Sequence, residues 1–291
     1  MMLLNLLAFL QEPVNVGEMV LHHTADACSI DIYPPSVVVP IPGCHLRYPI
    51  DFFMGPTKHV FFMLLAAGLV FLTLWSAGRS IERRGAGKSP KGFSGAVEGL
   101  VLWVRDDIAI ANIGHDGARF APLVITLFFF VLYCNLLGLI PHGASPTGNL
   151  AVTAALAIMV FLVVEIAGFL KLGPKGYLAT VFPHFPGLHG PGAVALSIAM
   201  SPIEILGKLV KPFALAVRLF GNMTAGHFVI LSLFGIVFLF GNLGIWSYGI
   251  GVTTALLVVG IMGLELIVAL LQAYVFALLS AVFIGLMQHE H

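Results

Sequence analysis

Long apolar runs recur along the chain and set the first structural expectation. Runs of about 20 apolar residues have the length that a helix needs to cross a bilayer. They predict five membrane-embedded helices, at about 59–78, 120–140, 149–171, 194–241 and 248–288. Residues 172–193, between the third and the fourth, are rich in glycine and proline, which predicts a loop. Between the first two, apolar residues at 97, 100, 101, 104 and 108 alternate with charged ones at helical spacing. This pattern predicts an amphipathic helix over about 93–113 that lies on the membrane surface.

The first 58 residues follow a different pattern, and we expect an extracytoplasmic N-terminal segment at 1–58 ahead of a membrane domain at 59–291. The segment is polar and rich in proline, whose spacing opposes a helix. Residues 1–10 are apolar but lack the basic flank of a signal peptide, which favours a retained N-terminus. Cys28 and Cys44 lie in this segment, and the sequence leaves open whether they pair or remain two thiols.

Composition excludes most other classes of protein. Hydrophobic residues make up 59% of the chain and charged residues only 10%, against about 25% charged residues in soluble domains. This balance excludes a soluble domain, a disordered chain, a secreted disulfide scaffold and a basic nucleic-acid binder. The three cysteines have no CxxC spacing and there is no Walker motif, so we expect no metal, no cofactor and no nucleotide chemistry in this chain.

The charges of the loops predict the orientation of the fold. The stretch 79–91 carries five basic residues, whereas the loops at 141–148 and 241–248 carry none. Basic loops remain in the cytoplasm. Five crossings with the N-terminus outside and the C-terminus inside satisfy this alternation, so we predict an all-α polytopic membrane protein with that topology.

The block at 194–241 contains charges at membrane depth, where an ionisable side chain is costly and usually lines a functional pathway. At about 100° per residue, one stripe of the helix, within roughly 80°, holds all of its charges and one amide: Glu204, Lys208, Lys211, Arg218 and Asn222. The alternative for the first three is snorkelling of their side chains to the cytoplasmic interface. Snorkelling does not explain Arg218, because Arg218 lies fourteen residues beyond Glu204, a helix rise of about 21 Å. An inert ion pair is the alternative for Arg218.

Two further ionisable side chains lie beyond the arginine. Glu265 shares a helix face with Gln272 in the last block, and His227 follows Arg218 on its own helix but off the polar stripe. Imidazole and carboxyl groups can both take up and release protons. We therefore expect His227 and Glu265 to form a proton relay, although a single membrane histidine is more often structural.

These residues fall within motifs of a known family. The string PFALAVRLFGNMTAGH resembles the Arg-Leu-Phe-Gly-Asn-Met signature of the a subunit of F-type ATP synthase. The tail with its QAYVF step is similar to that family's last helix, and SPIEILGKLVKP resembles the start of its fifth. The segment PTGNLAVT, which contains Asn149, resembles the start of its fourth. The resemblance covers about 55–291.

The resemblance implies a role for each matching residue. Arg218 would face the carboxylates of a rotating ring of c subunits, with the last two helices forming a long tilted hairpin against that ring. Two aqueous half-channels would serve the arginine, and their residues would be His227, Glu265, Asn222, Gln272, Glu204 and Asn149. The histidine precedes the glutamate here, as in mitochondrial members.

The family also implies the setting of the chain. It would be the proton-translocating stator subunit of the Fo sector, itself without catalytic activity, in a bacterial inner membrane. Its partners would be the c-ring, the b-subunit peripheral stalk, the rest of the F1Fo complex and the lipid bilayer, with no nucleic acid.

Two other functions compete with this interpretation. A self-contained cation or proton antiporter would often show inverted internal repeats, and the sequence contains no such repeat. A structural subunit of a respiratory complex would leave the polar stripe from Glu204 to Asn222 without a purpose.

Overall fold

A computed structural model describes residues 29–32, 37–40, 45–47, 52–54, 57–84, 92–140, 143–182, 191–240 and 245–289. Residues 1–10, Cys28 and Cys44, for which the sequence made predictions, lie outside the described residues. Four short strands occupy the N-terminal segment: β1 (Ser29–Ile32), β2 (Val37–Pro40), β3 (His45–Arg47) and β4 (Phe52–Met54). They form two antiparallel pairs, β1 with β2 and β3 with β4. The described head is therefore extended, as its prolines suggested, and the all-α prediction applies to the part that follows.

From residue 57 onwards the described chain is helical apart from its turns. The main helices are α1 (Lys58–Arg84), α2 (Gly92–Trp103), α3 (Gly117–Gly138), α4 (Leu150–Val181), α5 (Pro191–Leu239) and α6 (Ile245–His289). Five helical segments are long and apolar enough to cross a membrane, namely Lys58–Ser80, Gly92–Gly138, Leu150–Val181, Val194–Val237 and Ser247–Gln288. The polytopic, helical membrane architecture predicted from the sequence is confirmed.

The amphipathic segment before α3 is helical, as its spacing predicted. Helix α2 continues through a π-helix (Val104–Ile110) and a short turn (Ala111–Ile113) to Gly114, where φ is 81° and the chain turns into α3. Val97, Val104 and Ile108 are buried on one side. The predicted apolar face thus packs inward against the protein, and its position on the membrane surface stays a prediction.

Helix α4 departs from the predicted Gly/Pro loop at 172–193. The chain is helical to Val181, with a break at Gly173, where φ is 69° and ψ is 176°. Glycine adopts positive φ without steric cost, and Pro174 fits the first turn of the renewed helix because its missing N–H is not needed there. The loop prediction was wrong for 172–181, since a Gly-Pro pair can redirect a helix instead of ending it.

The core lies where α3 packs against α6, with α2 covering one side. Alanines that are fully or almost fully buried recur every four residues along α6, at Ala269, Ala273, Ala277 and Ala281. Small side chains on one helix face let neighbouring backbones approach closely, which favours helix association in lipid. Large side chains such as Phe128 on α3 and Phe276 on α6 fill the remaining space.

A buried polar network ties α3 to the turn before α4 and to α6. Thr147 donates a hydrogen bond to Asn135 Oδ1 at 2.7 Å, and Asn135 Nδ2 donates to the carbonyl of Ala269 at 3.3 Å. Asn135 and Thr147 are completely buried. A buried polar group that loses its partner costs about 1–3 kcal/mol. The network therefore fixes where these three segments meet.

We predict that Thr147→Val destabilises the fold by about 1–3 kcal/mol, because Asn135 Oδ1 loses its buried donor. Thermal unfolding of the detergent-purified chain measures the effect. Thr126→Val is the matched control, since Thr126 is exposed and bonds only to Pro122 of its own helix. Equal unfolding temperatures for the two variants would contradict this role of the network.

Candidate functional site

The predicted polar stripe of α5 faces outward from the molecule. Near Arg218 the buried residues of this helix are apolar, namely Leu215, Ala216, Leu219 and Met223. Glu204, Lys211, Arg218 and Asn222 are exposed, and Lys208 is half-buried. The helical arrangement expected from the spacing therefore places four of the five polar residues where a partner or lipid can contact them.

Arg218 has neither an ion pair nor a side-chain hydrogen bond within the described residues. The alternative of an inert ion pair thus finds no acid in this part of the chain. A guanidinium group remains protonated at any physiological pH. Arg218 therefore presents a permanent positive charge on the surface of α5, and a negative group of another molecule would neutralise it.

One turn beyond the arginine, a hydrogen bond joins α5 to α6. Asn222 Nδ2 donates to Gln272 Oε1 at 3.2 Å. Gln272 is buried, and its Nε2 has no hydrogen-bond partner among the described residues. The structure thus brings together the two amides that the sequence placed near Arg218, and it leaves one buried donor available to a ligand or water.

His227 lies on α5 and Glu265 on the neighbouring α6. Both are half-buried, and no hydrogen bond links them directly within the described residues. The Glu265 carboxylate lies directly against Gly226, the residue before His227, where any Cβ would collide with it. His59 at the start of α1 lies near His227. Sequence reasoning missed His59, although a histidine at the end of a membrane span is an unusual residue.

On the other side of Arg218, Glu204 lines a cavity of about 150 Å³ between α4, α5 and α6. Its polar lining consists of Glu165, Thr180, Glu204, Lys208 and Lys211, and α6 adds Phe283 and other apolar side chains. A cavity of this size has room for water molecules, and its five polar side chains can form hydrogen bonds with them. The geometry therefore provides space for water beside Glu204.

Glu165 is the residue of this site that the sequence analysis did not single out. It lies 3.5 Å from Lys208 Nζ and accepts a hydrogen bond from the hydroxyl of Tyr177. An acid within the predicted third span was the available signal, the same one that identified Glu204 and Glu265. Its lysine partner lies 43 positions further along the chain, and no spacing rule connects the two.

The side chain of Asn149 has a structural role at the start of α4. It caps the helix by accepting a hydrogen bond from the backbone N–H of Ala151 at 2.8 Å. An N-cap of this kind satisfies one of the unpaired donors of the first helical turn. The structure thus accounts for the asparagine in PTGNLAVT without assigning it to a channel.

The described residues contain no group of three or more His, Cys, Asp or Glu side chains that could hold a metal ion. The site consists of one fixed cation, two proton-exchanging side chains on one side of it, and an acid beside a cavity on the other. Such a set suits transfer of protons and offers no nucleophile–base pair.

Comparison with known proteins gives a consistent result. The family model described as ATP synthase A chain matches residues 60–285. The chain is 44% identical to ATP synthase subunit a 2 of Chlorobaculum tepidum over 93% of its own length and 72% of that protein. It is 41% identical to ATP synthase subunit a of Chloroherpeton thalassium over 93% of its length and 77% of that protein. A subunit a of Myxococcus xanthus is 44% identical over 81% of this chain and 74% of its own length. The resemblance found in the sequence motifs is confirmed.

We predict that Gly226→Ala slows proton transfer by at least tenfold, because a Cβ at this position would displace the Glu265 carboxylate from α5. Proton flux through reconstituted vesicles measures the loss. Gly249→Ala serves as the control, since Gly249 is exposed on α6 and a Cβ there meets nothing within 4 Å. Unchanged flux in the Gly226 variant would show that the position of Glu265 against α5 is unimportant.

Proposed function

The chain belongs to the ATP synthase A chain family, and from this premise we propose that it is the proton-translocating stator subunit of the Fo sector of an F-type ATP synthase. The observation that carries the proposal is the exposed Arg218, which has no ion pair in the part of the chain that the structure describes and lies between two groups of titratable side chains of the same helix hairpin. The subunit itself performs no nucleotide chemistry.

Arg218 acts as a fixed charge at the interface with the rotating c-ring. A guanidinium does not release its proton, so it attracts an ionised ring carboxylate and repels a bare proton. The first effect favours release of the proton from the arriving carboxylate. The second prevents protons from leaking directly between the two half-channels.

His227 and Glu265 serve the outer half-channel. The position of the Glu265 carboxylate against Gly226, the residue before His227, supports this role, and His59 extends the set of titratable groups towards the start of α1. Asn222 and Gln272 line the route towards the ring at the level of the arginine. Asn149 is assigned to a half-channel by the family resemblance of PTGNLAVT alone, in addition to its capping of α4.

Glu204 serves the inner half-channel, and the cavity beside it supports this assignment. Fourteen residues separate it from Arg218, a rise of about 21 Å along the helix. A proton enters from outside, neutralises a ring carboxylate, is carried round by the ring and leaves through the inner cavity. One charge crossing at 100 mV is worth about 2.3 kcal/mol, so several crossings drive each synthesis event.

The hairpin of α5 and α6 forms the surface towards the ring. Helix α5 has 49 residues and α6 has 45, lengths of about 65–75 Å against a hydrocarbon core of about 30 Å. A strong tilt accommodates this excess. The c-ring and the b-subunit peripheral stalk are the membrane partners, in a bacterial inner membrane with the N-terminus outside and the C-terminus in the cytoplasm.

We predict that Arg218→Ala abolishes coupled ATP synthesis while the complex still assembles. Arg218→Lys fails as well, because a lysine can lose its proton when it is buried and lacks the planar guanidinium. Synthesis by membrane vesicles is measured together with recovery of the assembled complex. Arg105→Ala is the control, since Arg105 pairs only with the neighbouring Asp106 on an exposed surface. Wild-type synthesis in Arg218→Ala would refute the proposed function.

A second prediction concerns the direction in which each half-channel opens. Single cysteines at 204, 227 and 265 are introduced after replacement of Cys28, Cys44 and Cys134. A membrane-impermeant thiol reagent added outside should label position 227 or 265 and spare 204, and in inverted vesicles the pattern should reverse.

Cysteines at the exposed positions Tyr248 and His115 report on access to the outer and inner sides, respectively. Labelling of position 204 from outside would show that the orientation is wrong. If both reporters react but none of the three positions does, these side chains are packed structure and the half-channel assignment fails.

A further inference from the structure

The side chain of Lys208 turns away from its own helix and towards α4. Its Nζ lies 3.5 Å from Glu165 Oε2 and donates a hydrogen bond to Thr180 Oγ1 at 2.8 Å. The same ammonium lies 4.6 Å from the centre of the Tyr177 ring, within range of a cation–π interaction. The side chains of Lys208 and Glu165 are each only 16% exposed. Lys208 is therefore held by three groups of α4.

This arrangement differs from the ion pair between Glu204 and Lys208 that helix geometry favours. Glu204 and Lys208 are four residues apart with the glutamate first, the spacing and order that stabilise an ion pair along a helix. Nevertheless, Glu204 has no ion pair within the described residues. Lys211 is also directed elsewhere, since its Nζ lies 5.6 Å from the Phe283 ring of α6. Glu204 thus remains unpaired although two lysines follow it within two turns.

The break in α4 makes the capture of Lys208 possible. Glu165 and Tyr177 are twelve residues apart, which corresponds to about 18 Å along a straight helix. Because the chain is redirected at Gly173, the Tyr177 hydroxyl reaches the Glu165 carboxylate and Thr180 reaches Lys208. The carboxylate is held by a hydroxyl on one side and an ammonium on the other.

We propose that Glu165 is a positioning residue that holds Lys208 in the cavity wall and thereby keeps the Glu204 carboxylate unpaired and able to exchange protons. This inference rests on the proposed function of Glu204 in the inner half-channel. The charged or titratable groups around the cavity are Glu165 and the linked Tyr177 of α4, and Glu204, Lys208 and Lys211 of α5. The cavity residues of α6 are apolar.

Release of Lys208 has a definite consequence. Without Glu165 the ammonium turns back to Glu204 one turn away, and its positive charge stabilises the ionised carboxylate. At a given pH, a smaller fraction of Glu204 then carries the proton that passes from the cytoplasm to the ring during ATP-driven pumping. The pumping rate should accordingly decline at lower pH than in the wild type.

The test uses the intact complex in inverted vesicles. ATP-driven proton pumping is measured against the pH of the cytoplasmic side and divided by the ATP hydrolysis rate at each pH. For Glu165→Gln we expect the alkaline limb of the profile to move to lower pH by about one unit, the effect of an opposite charge placed nearby. Adding Lys208→Gln to this variant should return the profile to its wild-type position, because the interfering ammonium is gone.

Lys171→Gln is the matched control. It also removes an ion pair made by α4, in this case the exposed pair with Asp116, and it should leave the profile unchanged. An unchanged profile in Glu165→Gln, or a double variant as impaired as the single one, would overturn the proposal in favour of a merely structural ion pair. If Glu165→Gln does not assemble, Thr180→Val takes its place. It removes one polar partner of Lys208 and must move the limb in the same direction, and no movement overturns the proposal.

Glu204→Gln separates this inference from the proposed function. If Glu204→Gln pumps at the wild-type rate, the inner half-channel assignment itself is wrong. If Glu204→Gln is impaired and Glu165→Gln keeps the wild-type profile, only the positioning role of Glu165 fails.

Discussion

A permanent positive charge on an apolar helix hairpin is the constraint on which the rest of the structure depends. Arg218 cannot lose its proton, and a charge at membrane depth is expensive unless a counter-charge or water reaches it. Within the described residues the chain supplies no acid to it. The fold instead directs the apolar side of α5 inward, with Leu215 and Leu219 fully buried, and leaves the guanidinium on the outside. The described part of the chain thus leaves this charge open to a counter-charge on another molecule.

The basic side chains around Arg218 have contacts of their own, and the Arg218 guanidinium stays available to a partner. Lys208 is paired with Glu165, Lys171 with Asp116, and Lys211 rests over an aromatic ring. Lys208 contacts α4 and Lys211 contacts α6, so that both side chains point from the polar stripe of α5 towards a neighbouring helix. Lys171 is a cation of α4 that is itself paired. The acid that remains accessible on the polar stripe is Glu204, which lines a cavity about 21 Å along the helix from Arg218.

Polar contacts set the register of the helices around the arginine. The Asn222–Gln272 hydrogen bond lies one turn from Arg218, and Glu265 is seated against Gly226 one turn further on. On the far side of α6, Asn135 binds the backbone of Ala269. Apolar side chains alone would let two long helices slide past each other at little cost in lipid. Specific hydrogen bonds between buried polar groups oppose such sliding, because every shift leaves them unpaired.

The sequence by itself determined the architecture and most of the site. Hydropathy located the spans because a bilayer imposes a fixed apolar length, and the spacing of charges showed that α5 has one polar stripe because a helix has a fixed period. The motif around Arg218 identified the family, and one of the polar pairs it suggested, Asn222 with Gln272, is joined by a hydrogen bond. All of these are properties of single segments or of repeated local geometry.

Only the tertiary structure decided which charged side chains form ion pairs within the protein. Glu204 and Lys208 satisfy every local rule for an ion pair, yet Lys208 binds Glu165, 43 positions earlier in the sequence. The break at Gly173 makes this pairing possible because it redirects the end of α4. The sequence pattern had predicted a loop in that segment. Likewise, Asn149 proved to be an N-cap, and His59 lies near His227 from a different helix. The physical reason is the same in each case: competition between partners is settled by distance in space, which a linear pattern does not contain.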